Sequence, residues 1–552
     1  MDPIFTLGAA GEAVSERALA AMRAVVGEAH VSVAPADLDR AGKATIPDAK
    51  RPGAIVSPAN AQEVAAILRL CADQRLHVWP VSTGRNWGYG SATAVREGAV
   101  LLRLSRMDRI IEVNEPLAYA VVEPGVTYRQ LRAYLGVHHP TLWSDSTDGP
   151  PDGSVIGNAL DRGLGVTHYG DHFGTLCGME VVLPSGEIMR TGGGPEGCKT
   201  WHTHKWGVGP YVEGLFSQSN FGVVTKAGVW LLPKPEAFAS FTFDLAREED
   251  LPKLVDIIRE LALRQIVTSA VHLVNDICAL SVLAQYPAHL VAGHSRLPAD
   301  ALAEMRRKYL VASWSFGGGV QGTAAQVRIV KKELRSRLAP LGRLMFVDDA
   351  TVGLASAALA VARSGPLGRP VEWAVRTFTG KSLEMLEAGP HIHNVLKGIP
   401  SDYFVRHAYF KSEKPKPERA DPDRDDIGGI WYAPIAPMSG GHVSEVLAIC
   451  RPLFERFEFD FYAALLVQNA RSMIILTSIF YRKDDPRQTD NARALYHALG
   501  EATSRAGYQT YRMGVGSMGR LAQNAPEFIS FTRRLKQAID PAGMLAPGKY
   551  GA

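Results

Sequence analysis

Two glycine-rich stretches carry the residue types that could hold a phosphate. The first runs Ser82-Thr83-Gly84-Arg85-Asn86-Trp87-Gly88-Tyr89-Gly90, and the second runs Asp148-Gly149-Pro150-Pro151-Asp152-Gly153-Ser154-Val155-Ile156-Gly157-Asn158. Glycine admits positive φ, so successive backbone N–H groups can converge on one anion. Ser82 to Asn86 and Gly153 to Asn158 could together cradle the pyrophosphate of a dinucleotide; read separately, each could equally be a tight turn between strands. Neither has the Gly-x-Gly-x-x-Gly that opens a Rossmann helix, nor the Gly-Lys-Ser/Thr of a Walker A loop. A nicotinamide-binding reading therefore has no motif behind it. Cys198, His202 and His204 lie close in sequence, but no carboxylate or second cysteine joins them at ligand spacing, so no metal site is expected.

The elements that must position these loops are legible around them. Asn60 and Glu63 form a capping-box pattern, and Val64, Ile67, Leu68 and Cys71 recur at helical spacing, which predicts a helix over 61–74. A strand from His77 to Val81 then leads into the first loop. Ala99 to Leu104 reads as a further strand, the segments either side of Asn114-Glu115-Pro116 as one hairpin, and Cys177 to Glu187 as another turning at Ser185-Gly186. After Leu231-Leu232-Pro233-Lys234-Pro235 the glycines thin out and helical periodicity returns over Leu251 to Leu263, which places a domain boundary near 236. Lys411 to Asp426 is nearly all charge and proline, so a surface insertion is expected there. Phe528, Phe531, Leu535 and Ile539 mark one face of a late helix that ends at Asp540-Pro541.

The 552 residues hold 60 Lys+Arg against 56 Asp+Glu, a net charge of +4, with 46% hydrophobic residues. That length predicts more than one domain. The charge forms no long basic block, which argues against a nucleic-acid binder. Five separated cysteines (Cys71, Cys177, Cys198, Cys278, Cys450) suggest free thiols in a reducing compartment. Met1 to Leu7 starts no basic-then-apolar leader, and no run of about 18 apolar residues occurs. A cytoplasmic protein without a membrane partner is expected.

The chain resembles the vanillyl-alcohol oxidase and p-cresol methylhydroxylase family of FAD-linked flavoproteins. The resemblance rests on Trp79 to Gly90, Val122-Glu123-Pro124-Gly125-Val126-Thr127, Ile156-Gly157-Asn158-Ala159, Tyr169-Gly170-Asp171-His172-Phe173, Cys177 to Leu183, Gly207 to Pro235, Tyr511-Arg512 and Asp540 to Gly551. It implies an α+β, two-domain fold: an FAD-binding domain over 1–236 completed by 500–552, and an α+β cap over 237–499 carrying the charged insertion 411–427. Implied FAD contacts are Ser82, Thr83, Gly84, Arg85, Asn86, Trp87, Gly88, Gly153, Ser154, Gly157, Asn158, Gly222, Val223, Val224, Tyr409 and Lys549.

The implied chemistry is oxidation of the carbon para to a phenol hydroxyl, by hydride transfer to FAD through a p-quinone methide. Tyr89, Tyr511 and Arg512 match the family's phenolate clamp, where charge-assisted hydrogen bonds lower the phenol pKa. Asp148 matches the active-site carboxylate, a base toward water; the loop is one residue longer than the family pattern, which keeps Asp152 as its rival. Val166 stands where some members have a third tyrosine. Gly429 and Ala408 stand where members attach the flavin through histidine or tyrosine, so dissociable FAD is favoured, with Tyr409 or His407 as alternative attachment points. Ile474-Ile475 replaces a pair of cap histidines and implies a more apolar pocket. The implied partners are a small phenol, oxygen or a cytochrome-type electron acceptor, and a second copy in a homodimer. Two other readings remain: an FAD oxidoreductase of a non-phenolic alcohol, which has no need of an anion clamp, and a non-catalytic FAD-binding relay.

Overall fold

A computed structural model describes residues 14–291, 295–363 and 368–551; the reading of Met1 to Leu7 falls outside them. The first sheet has four strands in the order Val31–Ser32, Ala54–Val56, Val100–Arg103, Val78–Val81, the last three parallel. Helix Ala61–Asp73 supplies a crossover between parallel strands. Asn60 accepts from the Glu63 amide and the Glu63 carboxylate accepts from the Ala59 amide, while Val64, Ile67, Leu68 and Cys71 form the buried face. The outer edge of Val78–Val81 is closed from far along the chain: the Val78 amide donates to Met544 O at 2.9 Å and the Ala546 amide to Val78 O at 2.7 Å. Buried Asp540 fixes that late turn by accepting from the amides of Met544 and Leu545 and from Lys536 Nζ.

The second sheet is antiparallel, in the order Ile110–Asn114, Tyr119–Val122, Val223–Trp230, Leu176–Val182, Ile188–Arg190. Both expected hairpins are present in it. Gly125 follows the Tyr119–Val122 strand, where a Cβ would stand 2.7 Å from the carbonyl oxygens of Met107 and Ser105. Only glycine lets the chain pass there toward the second glycine stretch.

A third sheet begins at Ala237 and has eight antiparallel strands. Its centre runs His272–Asn275, Ala464–Asn469, Ser472–Tyr481. Leu273, Leu465 and Ile475 stand in one register and point into a core with helices Leu251–Leu263 and Gly440–Arg456. With a side-chain period of two, the flanking rows His272–Leu466–Ile474 and Val274–Ala464–Leu476 face the other way.

Segment 411–427 has neither helix nor strand, as its composition predicts, yet only part of it is solvated. Ala420, Pro422 and Ile427 are buried, and Asp421, Asp423 and Asp425 between them turn inward. Asp421 meets Arg85 at 2.5 Å, Asp423 accepts from Trp87 Nε1 and Ser91 Oγ at 3.0 Å each, and Tyr409 donates to Asp425 at 2.7 Å. The charges find partners on the first glycine loop rather than in water. Helix Pro526–Ile539 likewise departs from its simple pattern: Leu535 and Ile539 pack on a core, whereas Phe528 and Phe531 are exposed beside an open cavity of about 780 Å³. Among the described residues no helix is long and apolar enough to cross a membrane.

Candidate functional site

A cavity of about 310 Å³ opens between the two glycine stretches and the outward face of the third sheet. Ser82 to Trp87 line it. Among the described residues their backbone amides donate to no carbonyl or side chain, so a row of N–H groups is left for an anion. Their side chains are tied instead: Arg85 to Asp421, Asn86 Nδ2 to Asp161, Trp87 to Asp423. Gly88 does not line the cavity. Its φ is +76°, and a Cβ would stand 2.2 Å from the Trp431 ring, so this glycine lets the loop pass the indole.

The second stretch approaches from the opposite side. Ser154 caps helix Val155–Leu160, accepting from the Gly157 amide at 2.8 Å and donating to Pro124 O at 2.6 Å. A Cβ at Gly157 would stand 2.9 Å from Ser82 Oγ, so the two loops meet there. Asn158 is held from behind by buried His172, whose Nδ1 lies 2.7 Å from Asn158 Oδ1 and 2.9 Å from the Tyr128 hydroxyl. His172 Nε2 in turn contacts Asp145 at 3.2 Å. Gly153, Ser154, Gly157, Asn158, Gly222, Val223, Val224 and Lys549 all line the cavity. Free loop amides on one side and a glycine-lined helix start on the other suit a pyrophosphate-bearing cofactor.

Tyr89, Tyr511 and Arg512 come together at one end. The two phenol rings are edge-on at 6.5 Å between centroids, and the guanidinium lies 5.0 Å from the Tyr89 ring and 5.2 Å from the Tyr511 ring. Arg512 Nε donates to Asp161 O at 3.0 Å and Nη1 to Asn86 Oδ1 at 3.1 Å, while Nη2 is buried without a partner. Burial opposes the Arg512 charge, but the surrounding Tyr511, Asp161 and Tyr89 outweigh it and hold the group protonated. Burial and the neighbouring Tyr511 phenol push the Tyr89 hydroxyl well up, with Arg512 pulling it down. Tyr89 therefore stays a donor at neutral pH. A fixed cation with one unpartnered NH2 group beside two phenol hydroxyls can bind an oxyanion.

The two candidate carboxylates separate clearly. Asp148 lines the cavity, 3.8 Å from His272 Nδ1. Asp152 points away and accepts from Arg129 at 2.8 Å and Arg419 at 2.9 Å. The two attachment candidates separate as well. Tyr409 is buried away from the cavity, its hydroxyl donating to Asp425 and accepting from the Asp421 amide at 2.9 Å. His407 does line the cavity, and burial lowers its pKa to about 4, so it is neutral at pH 7. Ile474 faces the cavity, whereas Ile475 sits in the core behind it, and Val166 belongs to a small cluster with Val395 and Leu396. Among the described residues no group of three His, Cys, Asp or Glu side chains is placed to hold a metal.

Sequence patterns did not single out His272 or the inward acids Asp421 and Asp423. Nor did they single out Trp431, which lines the cavity with its Nε1 buried and unpartnered.

Comparison with known proteins places the chain. Residues 52–192 match a model of the FAD binding domain, and residues 442–550 a model of the C-terminal domain of FAD linked oxidases. The chain is 38% identical to 1'-carboxy-chondrochloren decarboxylase of Chondromyces crocatus over 97% of both sequences. It is 29% identical to the 4-cresol dehydrogenase [hydroxylating] flavoprotein subunit of Pseudomonas putida, over 97% of this chain and 95% of that one. The 4-ethylphenol oxidase of Gulosibacter chungangensis, solved as an isoeugenol complex, superposes with a TM-score of 0.85 at 27% identity, covering 97% and 96%. The chain belongs to the vanillyl-alcohol oxidase and p-cresol methylhydroxylase family. It is an FAD-linked oxidoreductase of α+β, two-domain FAD-binding fold.

Proposed function

We propose that this enzyme oxidises a para-substituted phenol at its benzylic carbon, converting the bound phenolate into a p-quinone methide. The observation that carries this reading is the grouping of buried Tyr89 and Arg512 with half-buried Tyr511, with an unpartnered guanidinium arm, in the cavity lined by the FAD-binding loops. Bound FAD supplies the two-electron acceptor that takes the benzylic hydride. Ser82 to Trp87, Gly153 to Asn158, Gly222 to Val224 and Lys549 hold it, in a flavin domain of residues 1–236 and 500–552 beneath a cap of 237–499.

The chain's own residues then do three things. Arg512, Tyr89 and Tyr511 hold the phenol as its anion, which makes hydride loss easier because the ring can push an electron pair toward the benzylic carbon. The aliphatic wall of the cap keeps water sparse around that carbon. Asp148 stands as the base: when water adds to the exocyclic carbon, its proton passes to this carboxylate and the ring regains its phenolate electrons.

A second fate for the same quinone methide is favoured by the relative at 38% identity, a decarboxylase by name. If the para side chain bears a carboxylate on the carbon beyond the benzylic one, the C–CO2 bond breaks, its electron pair forms the new C=C bond to the benzylic carbon, and the quinone methide returns to phenolate. The products are CO2 and an alkenyl phenolate, and no water is required. The wall of Val274, Leu466, Ile474 and Leu476 supports this branch.

FAD is held without a covalent link on this reading, because the Tyr409 hydroxyl is committed to Asp425 and the expected attachment positions are Gly429 and Ala408. Reoxidation is by oxygen or a cytochrome-type acceptor. The test is anaerobic titration with 4-alkylphenols and 3-(4-hydroxyphenyl)propanoates, followed by product analysis. Bleaching with a benzylic alcohol or a vinylphenol as product is the expected result. Failure of every phenol to bleach the flavin, with bleaching by a non-phenolic alcohol, overturns it.

A further inference from the structure

One patch of the cavity's cap wall is aliphatic with a single exception. From the three central strands of the third sheet, Val274, Ala464, Leu466, Ile474 and Leu476 face the cavity, and the sixth side chain in this patch is His272. Its register partners are Gly317 on one side and Leu466 on the other, neither of which offers its side chain a hydrogen bond. His272 Nε2 is buried without a partner, and Nδ1 lies 3.8 Å from Asp148, beyond hydrogen-bond distance. The other polar groups gathered around Asp148 are Cys278, His407 and Tyr462, all lining the same end. An imidazole set in an aliphatic patch with its Nε2 buried and unpaired costs free energy that a hydrophobic residue at the same position would avoid. Core packing gives no reason for it, because the core side of this strand is served by Leu273.

We propose that His272 is the specificity residue for the para side chain, donating a hydrogen bond to a carbonyl oxygen carried on that chain, whether of a carboxylate or of a carboxamide. This rests on the phenol reading above, with the ring hydroxyl at the Tyr89–Tyr511–Arg512 end and the para side chain directed to the cap wall. His272 then takes no part in hydride loss; it selects which phenol presents its benzylic carbon. An alkylphenol of equal length without the carbonyl leaves the imidazole unpaired, and a site built to hydrogen-bond a group rejects the analogue that lacks it.

The test uses the FAD-loaded enzyme and three ligands of matched length: 4-propylphenol, 3-(4-hydroxyphenyl)propanoate and 3-(4-hydroxyphenyl)propanamide. Dissociation constants are read from the perturbation of the flavin absorption spectrum within the mixing time, and kcat/KM from steady-state turnover. Wild type is expected to favour at least one carbonyl-bearing ligand over 4-propylphenol by about tenfold or more, and His272→Leu to bring that ratio within about threefold while binding 4-propylphenol at least as well. His272→Gln, which keeps a donor, should restore part of the preference. A ratio unchanged in His272→Leu, or a wild-type preference for 4-propylphenol, overturns the assignment. Absence of any response to all three phenols in wild type instead overturns the phenol reading on which it rests.

Discussion

Removing the guanidinium of Arg512 is the sharpest test of the oxyanion clamp. Arg512 is 8% exposed, so its charge acts where water does not screen it, and Nε and Nη1 are anchored so that Nη2 remains for a ligand. Loss of one such preorganised donor costs about 3 kcal/mol, or a hundredfold or more in rate. The same loss seen as proton affinity is about two pKa units on the bound phenol, at 1.36 kcal/mol per unit. Arg512→Ala should therefore slow anaerobic flavin reduction by its best phenol about a hundredfold at pH 7. It should also move the rising limb of the rate–pH profile upward by about two units, toward the free phenol's value near 10. Stopped-flow absorbance from pH 6 to 10 measures both. Because Arg512 also braces Asn86 and Asp161, Tyr511→Phe serves as the milder companion, removing a hydroxyl and nothing else. A fall of less than threefold in both variants, with FAD content and Tm retained and the pH profile unmoved, would falsify the clamp.

Asp148→Asn should lower turnover by about a hundredfold or more, the scale of a lost general base. Asp152→Asn, which weakens only the pairs with Arg129, still held by Asp402, and with Arg419, should leave kcat within twofold. Tyr409→Phe removes two hydrogen bonds that brace the acidic segment and should lower Tm, while the flavin still leaves with the supernatant after acid precipitation; a yellow pellet lost only in His407→Ala would instead locate a covalent link. Burial raises the Asp423 carboxyl to about 7. Protonated Asp423 thus favours the folded state, a contribution fully present below about pH 4 and lost as pH rises to about 7. Asp423→Asn should accordingly weaken the decline in Tm between pH 5 and 8, and an identical decline in both proteins contradicts the assignment.

Local patterns carried much of this site. The capping box at Asn60, the strand into Ser82, both hairpins and the restart of helical periodicity at Leu251 all depend on neighbours within a few residues, and the structure has each of them. The resemblance brought Tyr89 and Tyr511-Arg512 to one place although Tyr511 lies 422 positions beyond Tyr89. What escaped was set by distance along the chain without a motif to bridge it. Asp421 and Asp423 look like solvated charge until Arg85, Trp87 and Ser91 are brought to them from about 330 residues away. His272 lies in a four-residue strand whose polar and apolar alternation is too short to announce which face meets a ligand. Phe528 and Phe531 satisfied a helical stripe, but the stripe reaches a core only at Leu535 and Ile539.

The strand that leads into the first glycine loop shares its edge with residues 544–546, and Lys536 Nζ bridges Asn220 O to Leu545 O. During synthesis a ribosome must therefore pass more than 450 codons beyond Val78 before that edge can close. Through most of its translation the nascent chain holds an unfinished nucleotide-binding half whose exposed strand edge is open to wrong pairing. Cofactor capture is then timed by the synthesis of the 536–546 segment rather than by that of the glycine loops themselves.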